Sequence, residues 1–554
     1  MNNAIEKLSK LILIEKESIN KKIEENNTPF LLMDLMRVID YYWLGEYENK
    51  QDFESFIRFG FPSFLNQFYK TNKFNQPFIP VSSSTADSLS FCHYYLYMYG
   101  KCRFIERCIE FAKNGEAFLD EIDGNNFKLS VSTKSTLEYI ENKSVSEYFR
   151  IMHEFVLKEK IESQKAKKSD IAKLLGKEVQ VWNQDYIKYD STPEIDEYYF
   201  REGYIYLVCN QLYDDFDETF TFGGIPYKQI LDVLQSIIGV ALKHIDACMI
   251  LCEKCPQINL YNVLSTPMIL DEVYASYANY LGIDMDNVKK IFNLLIVSEN
   301  NIEEHLKEEK DFSPLFVKIG SRFVYRSIKG CLGAPILFLH NELKKQYPKD
   351  YFRWINEREV TFRNQLYHLF DEDRFIKIDR NVEINSNGIR TDIDAIIFDK
   401  QTKNLGLFQL KWQDKYSSDL KARKSRISNF YPKAKEWIEK MIKWEAAVSK
   451  KEILSSFLIN DTQIQNIYLF VIGRYNTHFS NQEIDERAAW GSWYHVVELA
   501  HTIKTDFDDP IRELFFKLKF DSPLNKDRRK ELEIDGGHNY KIELTNSSLT
   551  WSYV

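Results

Sequence analysis

Asp392, Asp394, Gln409 and Lys411 are the residues of this 554-residue chain whose types and spacing best suit chemistry. They stand in the stretch GIRTDIDAIIFDKQTKNLGLFQLK, which opens at Gly388 and closes at Lys411. Alternating apolar and polar residues predict one strand over IRTDIDAIIFD and another over LGLFQLKW, with the polar turn DKQTKNLG between them. Side chains alternate along a strand, so Asp392 and Asp394 share one face, as do Gln409 and Lys411. Neighbouring strands lie about 5 Å apart. A carboxylate, an amide oxygen and an ammonium can therefore meet at one end of a sheet. The two oxygens are hard ligands for Mg²⁺. Such an ion polarises a phosphodiester and lowers the pKa of water. A lysine beside it positions the water and neutralises charge growing on the phosphoryl oxygens. The bland alternative is Lys411 reaching solvent from a strand end, paired with Asp394. Without a use or a partner, a lysine on a buried strand destabilises its sheet.

The elements that must position these groups begin at Glu357. EREVTFRNQLYHLF reads as a helix and RFIKIDRNVEI as a strand. NSNG reads as a turn with Gly388 at the positive-φ position. After the Lys411 strand comes a basic helix, YSSDLKARKSRISNF. Pro432 suits the first turn of a separate helix, PKAKEWIEKMIKWEAAVSK. NIYLFVIGRY is a further strand, and WYHVVELAHTI is either a fifth strand or a short helix. This alternation predicts an α/β/α domain with a central mixed sheet. Lys415, Lys421, Arg423, Lys424 and Arg426 on the basic helix suit phosphate contacts that carry no sequence information, or equally a solvated face. Arg390 and Arg474 flank strand ends. Trp412, Trp490 and Trp493 fit core packing better than base stacking.

The segment RTDID…FQLK resembles the core of the PD-(D/E)XK (restriction-endonuclease-like) nucleases, in the Mrr-like form where Gln precedes x-Lys. The resemblance covers about residues 355–500. It implies that Asp394 takes the place of the metal-binding Asp, Gln409 that of the second acidic ligand, and Lys411 that of the catalytic Lys. It also implies a glutamate on the preceding helix, for which Glu359 is the best match, ahead of Glu357. The usual Pro before the Asp is missing. Such nucleases ordinarily need no His, so His478 and His495 are read as structural or surface residues. The activity implied is divalent-metal-dependent DNA cleavage with Mg²⁺, Mn²⁺ being able to substitute, in a setting such as restriction or anti-phage defence. An RNA-cleaving effector and an inactive nucleic-acid-binding scaffold are the alternatives. Pairing of two chains, or a partner protein on the N-terminal region, is also implied.

The remainder bounds the reading. With 44% hydrophobic and 28% charged residues the chain has a soluble globular composition. Its length requires more than one core. The expected division is a helical domain at 1–157, a mainly helical middle domain at 171–345 with a hairpin near 314–328, the nuclease-like domain at 355–505, and an extension at 506–554. The polar run at 158–170 is read as a solvated helix or linker. The net charge is −9. From Asn341 onward it is +2, with 35 basic and 33 acidic residues, so the acidic excess lies earlier. This argues against bulk coating of nucleic acid but not against a local cleft. The eight cysteines are scattered rather than arranged as a disulfide framework. Cys248, Cys252 and Cys255 are spaced as an iron–sulfur loop would be, and His244 could supply a fourth ligand for zinc, but the apolar helical setting favours buried thiols. No signal peptide is read at the N-terminus, and the apolar runs are read as too short for a bilayer, which makes the cytoplasm the expected location.

Overall fold

The structure is a computed structural model that describes residues 3–28, 30–44, 51–72, 81–131, 136–210, 215–306, 312, 314–386, 388–413, 420–461, 463–479, 482–506, 508–520 and 540–553. The chain divides into two units, one of residues 1–132, 150–351 and 538–554, the other of residues 133–149 and 352–537. Most of the two helical domains expected from the sequence thus forms one unit, while residues 133–149 of the first belong to the other. The polar run expected to bound them lies inside the first unit, as the helix Lys158–Glu178.

Unit 1 is mainly helical. Its longest helices are Ala86–Lys113 and Tyr227–Lys254. The second is long and apolar enough to cross a membrane by length and composition, which corrects the expectation that no stretch is. In this fold 61% of its most apolar window is buried in protein. It packs closely against the helix Pro193–Cys209: a Cβ on Gly239 would stand 2.3 Å from Tyr199 O, so only glycine fits. The hairpin expected near 314–328 forms as Phe316–Ile319 and Phe323–Arg326. A second hairpin, Ala117–Asp123 with Asn126–Val131, is extended by the chain's last strand, Ser548–Tyr553, running parallel to Asn126–Val131. Most of the expected extension beyond 506 is therefore not a separate domain. Part of it belongs to this sheet, and Pro510–Phe520 is a helix of unit 2.

Unit 2 takes in the first part of helix α1 (Thr136–Val156) and most of α2 (Pro348–His368). Strands β1 (Phe375–Lys377), β2 (Val382–Ser386), β3 (Ile389–Ile393), β4 (Ala395–Asp399) and β5 (Leu405–Lys411) follow. Then come α3 (Leu420–Ala447), α4 (Lys450–Ser456), β6 (Ile467–Gly473), β7 (Ala489–Ser492), α5 (Trp493–Asp506) and α6 (Pro510–Phe520). The sheet order is β1-β4-β5-β6-β7. β4 runs antiparallel to both its neighbours, β1 and β5, whereas β5, β6 and β7 run parallel. The parallel step from β5 to β6 is long enough to need a crossover, and α3 with α4 provides it. Ser449 and Glu452 cap α4 reciprocally, which fixes where that crossover turns. β5 is buried along its length except at Lys411, as its nearly unbroken apolar run requires for a central strand.

Three details differ from the sequence reading. Each of the first two expected strands is broken in two: β2 and β3 form their own hairpin, and β1 and β4 join the main sheet. The basic helix and the one after it are a single helix, α3, with Pro432 inside. Segment WYHVVELAHTI is helical (α5), and the fifth strand is β7, just before it.

Candidate active site

The break between β3 and β4 falls at Asp394, which is neither in the hairpin nor in the sheet. Its backbone N–H donates to Phe408 O at 3.1 Å, so the bend is tied to β5. From there the period of two holds. Ile396 and Phe398 of β4 and Leu405 and Leu407 of β5 enter one core together with Trp437, Ile438 and Met441 of α3. Asp394, Gln409 and Lys411 continue the same faces to the end of these strands. Phe408, of opposite parity, stacks on Phe470 at 4.4 Å on the side where Phe515 of α6 lies.

At that end the three expected residues converge on one atom. Asp394 Oδ2 accepts from Gln409 Nε2 and, at 2.7 Å, from the Leu410 backbone N–H, and Lys411 Nζ stands 3.7 Å away. Asp394 and Gln409 are buried, whereas the Lys411 side chain is 24% exposed. Burial pushes the Asp394 carboxyl above the usual carboxylate range. The Lys411 ammonium and the Leu410 N–H oppose that rise, and the Asp392 charge adds to it.

Asp392 does not share the burial of Asp394. It lies in β3 opposite Glu383, exposed, and its carbonyl accepts from Trp437 Nε1 at 2.7 Å. Glu357 and Glu359 are both exposed on α2. Glu359 lies one turn ahead of Arg363, whose guanidinium is buried beside the site and contacts Asp394 O at 3.4 Å. Arg363 was not singled out from the sequence. Its place next to Phe362 and Leu366, both buried, is the signal that marks it as an inward cation.

A second group of cations surrounds Trp412, next to Lys411. Arg474 lies over the Trp412 ring at 4.5 Å and donates to Gln365 Oε1 at 2.6 Å, while its backbone N–H donates to Lys411 O. Arg358 lies over Trp354 at 3.8 Å and over Trp412 at 5.4 Å. Both guanidiniums are buried, which holds fixed positive charge behind the strand end. Trp490 and Trp493 are buried, and Trp490 stacks on Tyr431 at 5.5 Å, in line with core roles.

Of the basic-helix residues, Lys415 lies outside the described residues, as does the side chain of Lys421. Lys424 and Arg426 are half-buried on α3, and Arg390 is exposed at the start of β3. Arg423 is not on a solvated face. It is buried, and Glu138 of α1 receives its Nε and Nη2 hydrogens at 2.9 and 2.7 Å. His478 is buried against Glu141 of the same helix, at 2.8 Å from Nδ1; His495 is half-buried.

Among the described residues no group of three or more His, Cys, Asp and Glu is placed to hold a metal. Asp394 and Gln409 nonetheless fit a cation such as Mg²⁺, which keeps most of its waters and takes few protein oxygens. Turning the Gln409 amide over would bring its oxygen to the side where its nitrogen now stands. The cysteine cluster does not fit a metal. The His244 ring contacts Val263 O at 2.8 Å and Tyr189 OH at 3.0 Å, and burial lowers its pKa to about 3. Cys248 is buried with its thiol pKa raised, so it stays protonated beside that ring. No protein-family model, curated protein or solved structure matches the chain.

Proposed function

We propose that unit 2 is a divalent-metal-dependent phosphodiesterase of the restriction-endonuclease-like kind that cuts DNA. The observation that carries this reading is the meeting of Asp394, Gln409 and Lys411 at Asp394 Oδ2, at the outer end of the central strands. Asp394 and Gln409 would hold the cation, with Glu359 on α2 as the further acidic residue that the resemblance implies. When bound, the cation supplies Lewis acidity toward the phosphate and toward water. Lys411 donates its N–H groups to a phosphoryl oxygen, where negative charge grows as water adds to phosphorus and the P–O bond to the leaving alkoxide breaks. The Leu410 N–H holds Asp394 in place for this. Arg358 and Arg474 add a positive field behind Lys411 that favours a phosphate there.

The test is cleavage of supercoiled plasmid with Mg²⁺ or Mn²⁺ by wild type beside Asp394→Ala. Nicking that the substitution removes supports the reading. Nicking that survives it refutes the site. One observation favours a second reading, a scaffold that binds nucleic acid without cutting it: Asp394 Oδ2 is already taken by protein donors. That reading expects duplex binding with no cleavage of DNA or RNA under any divalent cation.

A further inference from the structure

The first turns of α1 contribute two carboxylates to the interior of unit 2. Glu138 and Glu141 are three residues apart, so they project from one side of the helix. Both are buried, at 3% exposure each. Glu138 takes the Arg423 guanidinium. Glu141 Oε2 accepts from the backbone N–H groups of Thr477 and His478, at 2.8 and 3.0 Å, while its Oε1 meets His478 Nδ1 at 2.8 Å. Successive backbone N–H groups on one oxygen form an anion nest. Tyr431 joins the two halves: its hydroxyl donates to Thr477 O at 2.9 Å, and Glu141, Glu138 and Arg423 all act on its ionisation.

The position of this cradle gives it meaning. Lys411 is paired in register with Gly473, and Arg474 N donates to Lys411 O, so the 477–478 segment leaves the sheet at the Lys411 end. Arg423 lies in the first turns of α3, in the segment that follows Lys411 in sequence. A guanidinium, an imidazole and two N–H groups beside a phosphodiesterase site form a set that takes a phosphate of the substrate backbone. We propose that this cradle is a phosphate site for nucleic acid flanking the scissile bond. In the resting chain Glu138 and Glu141 hold it as phosphate mimics. Strand binding would lift the first two turns of α1, while Val145 and Phe149 keep the later turns docked; Phe149 packs on Tyr494 at 5.1 Å. The inference rests on nucleic acid being the partner of unit 2, as proposed above.

The experiment measures binding of the full chain to a fluorescent DNA duplex in EDTA across a salt series. Wild type is compared with Glu138→Gln plus Glu141→Gln, and with a control pair of the same charge change, Glu436→Gln plus Glu486→Gln, at exposed sites. Glutamine keeps an acceptor oxygen for Arg423 and for the nest. The expected result is about tenfold tighter binding in the first variant and a log–log salt slope steeper by about 0.9 for each added phosphate contact, with no change of slope in the control. An unchanged slope in a folded variant overturns the proposal. Should that variant melt early, hydrogen exchange on wild type decides: amides 140–145, which bond to the carbonyls of the first turns of α1, lose protection on adding duplex, or the proposal falls. A steeper slope without plasmid nicking would keep the cradle and reject hydrolysis. Nicking without a slope change would do the reverse.

Discussion

Gln409→Glu tests whether the Asp394 pocket is built for a cation. Gln409 is 3% exposed and donates Nε2 to Asp394 Oδ2. The substitution removes that donor and sets a second buried carboxylate against the first, with Lys411 at 3.7 Å as partial compensation. Leaving a buried polar group without its partner costs about 1–3 kcal/mol, and the added repulsion places this case near the upper end. For a unit of roughly 200 residues, about 1 kcal/mol moves the melting temperature by ~2–4 °C. The variant should therefore melt ~6–12 °C below wild type in EDTA. A divalent cation between the two carboxylates reverses this. At a hundred times its Kd it contributes about 2.7 kcal/mol, which restores most of the loss. Calorimetry with an Mg²⁺ titration reads both numbers without any activity assay. The EDTA deficit should also shrink at pH 5, where the new carboxyl holds a proton and donates to Asp394. A variant as stable as wild type in EDTA, or an Mg²⁺ gain no larger than wild type's, would refute the reasoning.

Other outcomes follow from the same geometry. Burial raises the Asp394 pKa, so the folded chain binds that proton more tightly than the unfolded one. The stability this contributes is complete below the ordinary carboxylate value and is lost as pH climbs from there through the raised one. Asp394→Asn should thus melt higher than wild type at pH 7, and the gap should close toward pH 3.5 in paired melts. Lys411→Ala should keep the Mg²⁺-induced stabilisation and duplex binding while plasmid nicking falls by at least about a hundredfold, the scale of losing one transition-state donor. Unit 1 should melt at an unchanged temperature after exhaustive chelation, because the His244 ring meets protein groups at both nitrogens; a drop of more than ~3 °C, about 2 kcal/mol in a unit of roughly 350 residues, would assign a metal to the cysteine cluster.

The chemistry-bearing pair of strands was legible in the sequence because its signal is local. Gln409 and Lys411 are separated by one residue on a strand whose apolar run is nearly continuous, and the turn before it is polar. The bend at Asp394 was not legible. RTDIDAIIFD alternates evenly enough for one strand, and the break depends on Asp394 N–H finding Phe408 O rather than a hairpin partner. Pro432 misled for a related reason. It removes a helical N–H and crowds the Ser428 carbonyl, but Ser428 is exposed, where solvent can take the place of the lost donor, and α3 continues. Arg423 read as a surface cation because its partner, Glu138, lies 285 residues away. Periodicity cannot report a contact of that range. The expected boundary near 158 failed similarly: a polar run marks a solvated face as readily as a linker.

The last strand of unit 1 carries a consequence for biosynthesis. Asn126–Val131 waits for a parallel neighbour, Ser548–Tyr553, that leaves the ribosome roughly 400 residues later. At about 5–20 residues per second that interval is ~20–80 s. Throughout it the nascent chain holds a hairpin with an unpaired edge, on which Phe118 and Ile122 stay more than half exposed even in the finished fold. Unit 2 is synthesised entirely within that interval and can fold first. Assembly of this protein is therefore out of chain order, and the early hairpin is the segment for which a nascent-chain chaperone would have the most to shield.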